Sequence, residues 1–122
     1  MAKSRTDTLK EILKEFKSSS ADVEASAVVS VDGLIIASEL PKDVEEDRVA
    51  AMSAAMLSLG ERTSKELMKG SLEQVFVKGI EGYILLMGAG SEAVLTALAR
   101  KDAKLGLVFL DMKRAADNIT KV

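Results

Sequence analysis

The sequence predicts a domain of the α/β (α+β) class, in which one five-stranded antiparallel sheet carries helices on both faces. Three segments place apolar residues at helical spacing, and five β-prone runs are separated by turn residues. The chain has 122 residues, of which 48% are hydrophobic and 30% are charged, and this balance suits one folded domain over residues 1–122. The predicted order is helix, two strands, helix, three strands, helix.

The first helix and the first hairpin have clear local signals. Thr6 or Asp7 is expected to cap a helix that carries apolar residues on one side and ends at a serine triplet. Two β-prone runs at 25–31 and 34–38 then flank Asp32-Gly33. Because glycine accepts a positive φ at little cost, the Asp-Gly pair favours a hairpin with a two-residue primed turn.

The middle helix, predicted from about Asp47 to Met68 with Gly70 as its stop, is apolar around more of its circumference than one sheet can cover. One stripe is expected to face the sheet, and it comprises Val49, Met52, Met56, Leu59, Gly60, Thr63 and Leu67. The small residues elsewhere on the helix are interpreted as a subunit interface with the same helix of a second copy, unless loops or the first helix cover them. The predicted interface residues are Ala50, Ala51, Ala54, Ala55, Leu57 and Ser58.

The second half of the chain is predicted to form three strands and a helix. The segment 93–99 is rich in alanine and leucine and could be a helix by itself, but its length and its bounding turns favour a strand. The last helix begins near Asp102 or Ala103 and carries apolar residues at spacings of three and four up to Ile119. The three strands are predicted at 72–78, 83–87 and 93–99.

The composition excludes most chemistry. The absence of cysteine excludes disulfides, thiolate metal sites and cysteine nucleophiles, and the absence of histidine removes the commonest general base and transition-metal ligand. A net charge of -2 and an aromatic content of 3% argue against nucleic-acid binding. Gly88-Ala89-Gly90-Ser91 lacks the lysine of a phosphate-binding loop and is interpreted as a hairpin turn. We therefore expect no catalytic residue, no cofactor and no metal site.

No apolar run approaches the length of a bilayer span, and no apolar segment of a signal peptide follows the charged N-terminus. We therefore expect a cytoplasmic protein that does not insert into a membrane.

Three local strings resemble the Roadblock family, which includes dynein light chains, late-endosomal scaffold subunits and bacterial gliding-polarity regulators. The most specific is AVVSVDGLIIAS at 27–38, followed by GYILL at 82–86 and AKLGLV at 103–108. The resemblance extends from about Thr8 to Ile119 and is strongest to the prokaryotic members that consist of this domain alone. It implies a profilin-like fold.

The resemblance also implies a homodimer in which the middle helices pack antiparallel and edge strands join two sheets into one. The edge strand is expected at 72–78, with contacts from Gln74, Val75, Phe76 and Val77. Members of the family bind Ras-like GTPases, and some stimulate GTP hydrolysis by reshaping the GTPase rather than by donating a catalytic group. We therefore expect a non-catalytic GTPase regulator or scaffold.

Three basic residues near the end of the middle helix have two interpretations. They contact an acidic partner, or they are ordinary solvated charges of a helix surface. These residues are Arg62, Lys65 and Lys69.

A second function class also fits a sheet flanked by helices, namely a module that senses a small molecule. That function requires a pocket of roughly 300 Å³ or more with convergent polar groups. The small and branched residues of the predicted strands favour a filled core instead.

Overall fold

A computed structural model of the chain describes residues 3–122, so residues 1 and 2 of the predicted domain lie outside the described part. The described part contains three helices and five strands in the predicted order. They are α1 (Arg5–Ser19), β1 (Val23–Ser30), β2 (Ile35–Glu39), α2 (Glu46–Glu66), β3 (Val75–Gly79), β4 (Gly82–Gly88), β5 (Ala93–Arg100) and α3 (Leu105–Thr120).

The five strands form one antiparallel sheet, as predicted, and their order across the sheet is β2-β1-β5-β4-β3. The alanine- and leucine-rich segment at 93–99 is a strand because β5 lies between β1 and β4, where nearly all of its side chains are buried. Burial against neighbours on both sides outweighs the intrinsic helix propensity of these residues.

The helices cover the two faces of the sheet unequally. α1 and α3 pack against each other and share one face, whereas α2 lies alone on the other. Beneath α1 and α3 is one large core that includes Leu9, Leu85 and Met112. On the α2 side the buried residues form two small clusters, one around Ala50 and one around Leu57. One helix therefore leaves part of its face of the sheet uncovered.

The turn between β1 and β2 is not the predicted two-residue primed turn. The N–H of Ser30 donates to the carbonyl of Leu34 at 2.8 Å, and the N–H of Gly33 donates to the carbonyl of Ser30 at 3.0 Å. Gly33 has a φ of +89°, while Asp32 has no positive φ. The loop is thus three residues long, and the Ser30 hydroxyl holds it by accepting the N–H of Leu34 at 3.1 Å.

α2 ends at Glu66, earlier than predicted, and its terminus is formed by Met68 rather than by Gly70. Met68 has a φ of +61°, a left-handed conformation that glycine normally supplies at this point. The N–H of Lys69 then donates to the carbonyl of Ser64 at 2.8 Å, which closes the last turn of the helix.

α3 begins at Leu105, later than predicted, because the preceding loop is held by side chains. The guanidinium of Arg100 pairs with both carboxylate oxygens of Asp102 at 3.1 and 3.0 Å. The carboxylate of Asp22 accepts the N–H of Lys104 at 3.0 Å, which ties the start of α3 to the loop after α1.

Candidate interaction surface

α2 contacts the sheet mainly through a side that the predicted stripe does not include, and of the side chains in that stripe only Val49 and Met56 pack partly against the sheet, so the predicted orientation of this helix is wrong. Its buried residues are Ala50, Ser53 and Leu57. Members of the stripe that was expected to face the sheet are exposed instead: Met52 is 58% exposed, Leu59 66% and Leu67 67%. A helical wheel finds both sides of the helix but does not identify which side meets the sheet.

The physical reason is the close approach of α2 to the central strands. Ala50 packs in a cluster with Ala27 and Val29 of β1. Thr96 of β5 donates a hydrogen bond to the hydroxyl oxygen of Ser53 at 2.8 Å, and both residues are buried. Ala50 and Ser53 fit this narrow gap and Leu57 packs against Leu86 and Val94 of the sheet. Met52, Leu59 and Leu67 lie on the outer side of the helix.

We call the outer apolar residues the α2 stripe, and they are Met52, Met56, Leu59, Thr63 and Leu67. α1 and α3 lie on the opposite face of the sheet and do not cover the stripe, while Met56 packs partly against the Leu57 cluster. Two grooves separate it from the strands. The first has a volume of about 310 Å³ and includes Met52, Met56, Val77, Ile84 and Leu98; the second has about 630 Å³ and includes Leu59, Thr63, Leu67, Leu72 and Val75.

Gly60 lets the helix approach β3 between these grooves. A Cβ atom at Gly60 would lie 2.8 Å from Cγ2 of Val75 and 3.1 Å from Cδ2 of Leu72. The contact fixes the distance between α2 and β3. The grooves are therefore part of a defined surface and not the result of a loosely packed helix.

β3 forms the edge of the sheet beside the α2 stripe, and within residues 3–122 it pairs only with β4. The strand starts at Val75, so the predicted contact residue Gln74 lies just before it. Phe76 points to the α3 side, where its ring centroid is 6.2 Å from that of Phe109 and 6.4 Å from that of Tyr83. Phe76 and Val77 both remain exposed, on opposite faces of this free edge.

The predicted helix contacts divide into two groups. Ala50 and Leu57 are buried within the chain and are not available to a partner, because they occupy the sheet side of α2. Ala54 is half-buried beside the β1–β2 turn, with its Cβ 3.7 Å from the position of a Cβ built on Gly33. The exposed members are Ala51, Ala55 and Ser58.

The three predicted basic contact residues are all exposed on the last turns of α2 or just after it. Arg62 is already paired, since its Nε lies 3.0 Å from Oε1 of Glu66 one turn further along. Lys65 and Lys69 extend the positive charge toward the end of the second groove, which Lys69 lines.

The surface holds apolar side chains and free backbone groups but no reactive cluster. Within residues 3–122, no three histidine, cysteine or acidic side chains come together as metal ligands would. In the same part of the chain, no helix has the length and hydropathy of a bilayer span. Just before α1, the hydrogen bond from Lys3 to Glu11 raises the pKa of that exposed lysine. The arrangement is suited to binding another protein surface.

Known proteins resemble this chain in sequence and in fold. A sequence model of the Roadblock/LC7 domain matches residues 8–99. Three uncharacterised proteins of Methanocaldococcus jannaschii are 42%, 43% and 44% identical to it over 97 residues, which is 80% of this chain and 81–84% of theirs.

Among solved structures, MglB of Myxococcus xanthus superposes with a TM-score of 0.87 at 20% identity, over 99% of this chain and 91% of that one. Profilin IA of Acanthamoeba castellanii superposes with a TM-score of 0.63 at 12% identity, over 97% of this chain and 98% of that one. At these identities the likeness is one of fold, and it confirms the predicted profilin-like arrangement of sheet and helices.

Proposed function

The chain belongs to the Roadblock/LC7 family, and from this premise we propose that it is a non-catalytic homodimer that binds a Ras-like small GTPase and regulates its GTP hydrolysis or its location. The observation that carries the proposal is the position of the α2 stripe beside the free edge of β3. Together they form one continuous surface that needs a partner.

A second copy of the chain fits this surface. A two-fold axis beside β3 brings the two β3 strands together, so that unpaired backbone groups of each edge find partners. The same axis brings the two α2 helices side by side, and the α2 stripe of each copy enters the grooves of the other. An interface of standard size buries about 800 Å² on each partner, and the stripe, the grooves and the strand edge supply residues for it.

The GTPase binds to the outer side of the paired α2 helices. Ala51 and Ser58 lie on the side of α2 away from the grooves and stay free in such a dimer, with Ala55 at the margin of the dimer contact. Small side chains let a partner approach the helix backbone closely. Lys65 and Lys69 add a positive charge that attracts acidic residues of the GTPase and raises the association rate.

The proposed regulation acts on the conformation of the bound GTPase and not through a catalytic group of this chain. The chain has no histidine and no cysteine, and the proposed contact surface is formed by apolar and small side chains. Binding changes the GTPase only if its affinity differs between the GTP and GDP states. We propose that the dimer stabilises one of these states or holds the GTPase at one site as a scaffold, in the cytoplasm.

The experiment is a pull-down from the native host with the tagged chain as bait. The extract is loaded either with GDP or with a non-hydrolysable GTP analogue, and the captured proteins are identified by mass spectrometry. A small GTPase that is enriched several-fold with one nucleotide supports the function, and Leu59→Glu should abolish its capture together with the dimer. Absence of any nucleotide-dependent GTPase from the capture contradicts the function.

The alternative, a small-molecule sensor, has less support from the geometry. The grooves beside α2 are open, lie on one surface and are almost entirely apolar, whereas a metabolite site encloses its ligand and offers convergent polar groups.

A further inference from the structure

Charge is distributed unequally along the chain. Residues 3–22 and 100–122, which comprise α1, α3 and their adjoining loops, contain eleven of the 17 basic residues but only seven of the 19 acidic residues. Residues 23–99 contain the other six basic and twelve acidic residues. The first group carries a net charge of +4 and the second a net charge of -6. The overall net charge of -2 is thus the sum of a basic and an acidic part of the chain.

The two helices of this group, α1 and α3, pack side by side on the face of the sheet opposite α2, and we call this the α1/α3 face. The helices carry a net charge of +1, and the other three positive charges come from Lys3, the loops at 20–22 and 100–104, and Lys121. Lys10, Lys14 and Lys17 follow one side of α1 at spacings of four and three residues, and no carboxylate within residues 3–122 forms an ion pair with any of them.

On α3, basic and acidic side chains are partly paired. Arg114 lies 3.7 Å from Asp111, and Lys113 lies 3.4 Å from Asp117. Lys121 has no such partner among the described residues. It follows Arg114 by seven residues, about two helical turns, and therefore lies on the same outer side of the helix. The outer side of α3 is therefore positive at its C-terminal end.

Two leucines project from the outer side of α3 among these charges. Leu107 and Leu110 are each 58% exposed, whereas Val108 and Met112 of the same helix are buried. Neither leucine lines either of the two grooves beside α2, so they form a separate exposed apolar feature on the opposite face of the sheet. The apolar face of α3 packs in the core, so these two leucines are additional apolar groups on its outer, charged side.

We propose that the α1/α3 face binds the surface of a bilayer rich in anionic phospholipids. Leu107 and Leu110 enter the headgroup region, and the lysines of α1 lie over the lipid phosphates. Two exposed leucines beside basic side chains suit a lipid surface, which buries the apolar groups and offers phosphates to the charges. The acidic remainder of the molecule points away from the membrane.

The proposal goes beyond GTPase binding and does not depend on it. The α1/α3 face lies opposite the α2 stripe, so it stays free when two copies associate as proposed. A dimer with a continuous sheet would present two such faces on the same side. Each copy would then contribute its basic residues to one membrane contact.

The test is co-sedimentation of the purified chain with large unilamellar vesicles at low and at physiological salt. We expect binding to vesicles of 70% phosphatidylcholine and 30% phosphatidylglycerol, no binding to pure phosphatidylcholine vesicles, and weaker binding as salt rises. Lys10→Gln/Lys14→Gln should lower the affinity about 25-fold, at about fivefold for each lysine. The matched control Lys42→Gln/Lys69→Gln removes the same charge from residues 23–99 and should leave the affinity within about twofold of the wild type.

A second pair of variants tests the leucines. Leu107→Ser/Leu110→Ser should weaken vesicle binding, while Leu34→Ser, which changes a leucine with 68% exposure on the β1–β2 hairpin, should not. Circular dichroism and light scattering verify that each variant keeps its fold and oligomeric state. Failure of the wild type to bind anionic vesicles at low salt overturns the proposal, as does binding that both lysine variants reduce equally. Binding to a soluble acidic protein but not to vesicles would assign the face to a protein partner and would also overturn it.

Discussion

The hydroxyl of Thr96 on β5 donates a hydrogen bond of 2.8 Å to the hydroxyl oxygen of Ser53 on α2, and both side chains are buried between the helix and the sheet. This polar contact lies in an otherwise apolar layer, so it has one favourable geometry. It thereby fixes the rotation of α2 about its axis. That rotation in turn determines that the α2 stripe faces outward.

Removing one partner of this bond should destabilise the fold. Ser53→Ala leaves the Thr96 hydroxyl buried without an acceptor, and we expect the free energy of unfolding to fall by about 1–3 kcal/mol. Ser53→Ala/Thr96→Val removes both polar groups and should cost less than the sum of the two single variants. Urea-induced unfolding at a fixed protein concentration measures all three; strictly additive losses would contradict the coupling.

Introducing charge into the α2 stripe should separate the proposed dimer. Leu59→Glu puts a carboxylate at the centre of the interface, where burial without a partner is costly, and light scattering should then give the mass of a monomer. Leu34→Glu is the matched control, since Leu34 is 68% exposed and Leu59 66%, but Leu34 lies on the β1–β2 hairpin. An unchanged dimer in Leu59→Glu removes the α2 stripe from the interface.

Gly82 at the start of β4 should not tolerate a side chain. It has a φ of +154°, and a Cβ there would lie 2.5 Å from the carbonyl oxygen of Ala99 on β5. We expect Gly82→Ala to lower the free energy of unfolding by about 2–4 kcal/mol because of both the clash and the backbone strain. Gly88→Ala, at the other end of β4 where no atom lies within 4 Å, should have little effect. Thermal unfolding of the two variants compares them; equal stabilities would contradict the strained contact.

A glycine at position 68 should stabilise the chain. Met68 is exposed and has a left-handed backbone with a φ of +61°. Met68→Gly removes the steric cost of this conformation, and we expect a gain of about 1 kcal/mol in the free energy of unfolding. Met68→Ala is the control, since it removes the same exposed side chain and keeps the strain. A gain in both variants would show that the side chain, and not the backbone, is responsible.

The fold was largely predictable because its signals are local. Five β-prone runs bounded by glycine-containing turns specify five strands, and burial in the centre of the sheet makes 93–99 a strand although its composition also suits a helix. The type of the β1–β2 turn was not predictable from Asp32-Gly33. It depends on the hydroxyl of Ser30, which accepts a hydrogen bond across the loop.

The interaction surface was only half predictable. Periodicity shows that α2 has two apolar sides, but the larger side chains face solvent because Ala50 and Ser53 allow the helix to approach the sheet closely. The partner of Ser53 is Thr96, 43 residues further along the chain, and no local pattern connects the two. A buried serine on the small-residue side of a helix was the one available signal.

The free edge of β3 has a consequence for cells that contain several chains of this type, as M. jannaschii does with its three similar proteins. Hydrogen bonds between strand edges join main-chain atoms, which are the same in every chain. The edge alone therefore cannot distinguish a second copy of the same chain from a paralogue. In the proposed dimer, selection of one partner chain over another would then depend on side chains, and Met52 and Leu59 of the α2 stripe are the positions that would encode it. Divergence at those two positions would sort such paralogues into separate pairs.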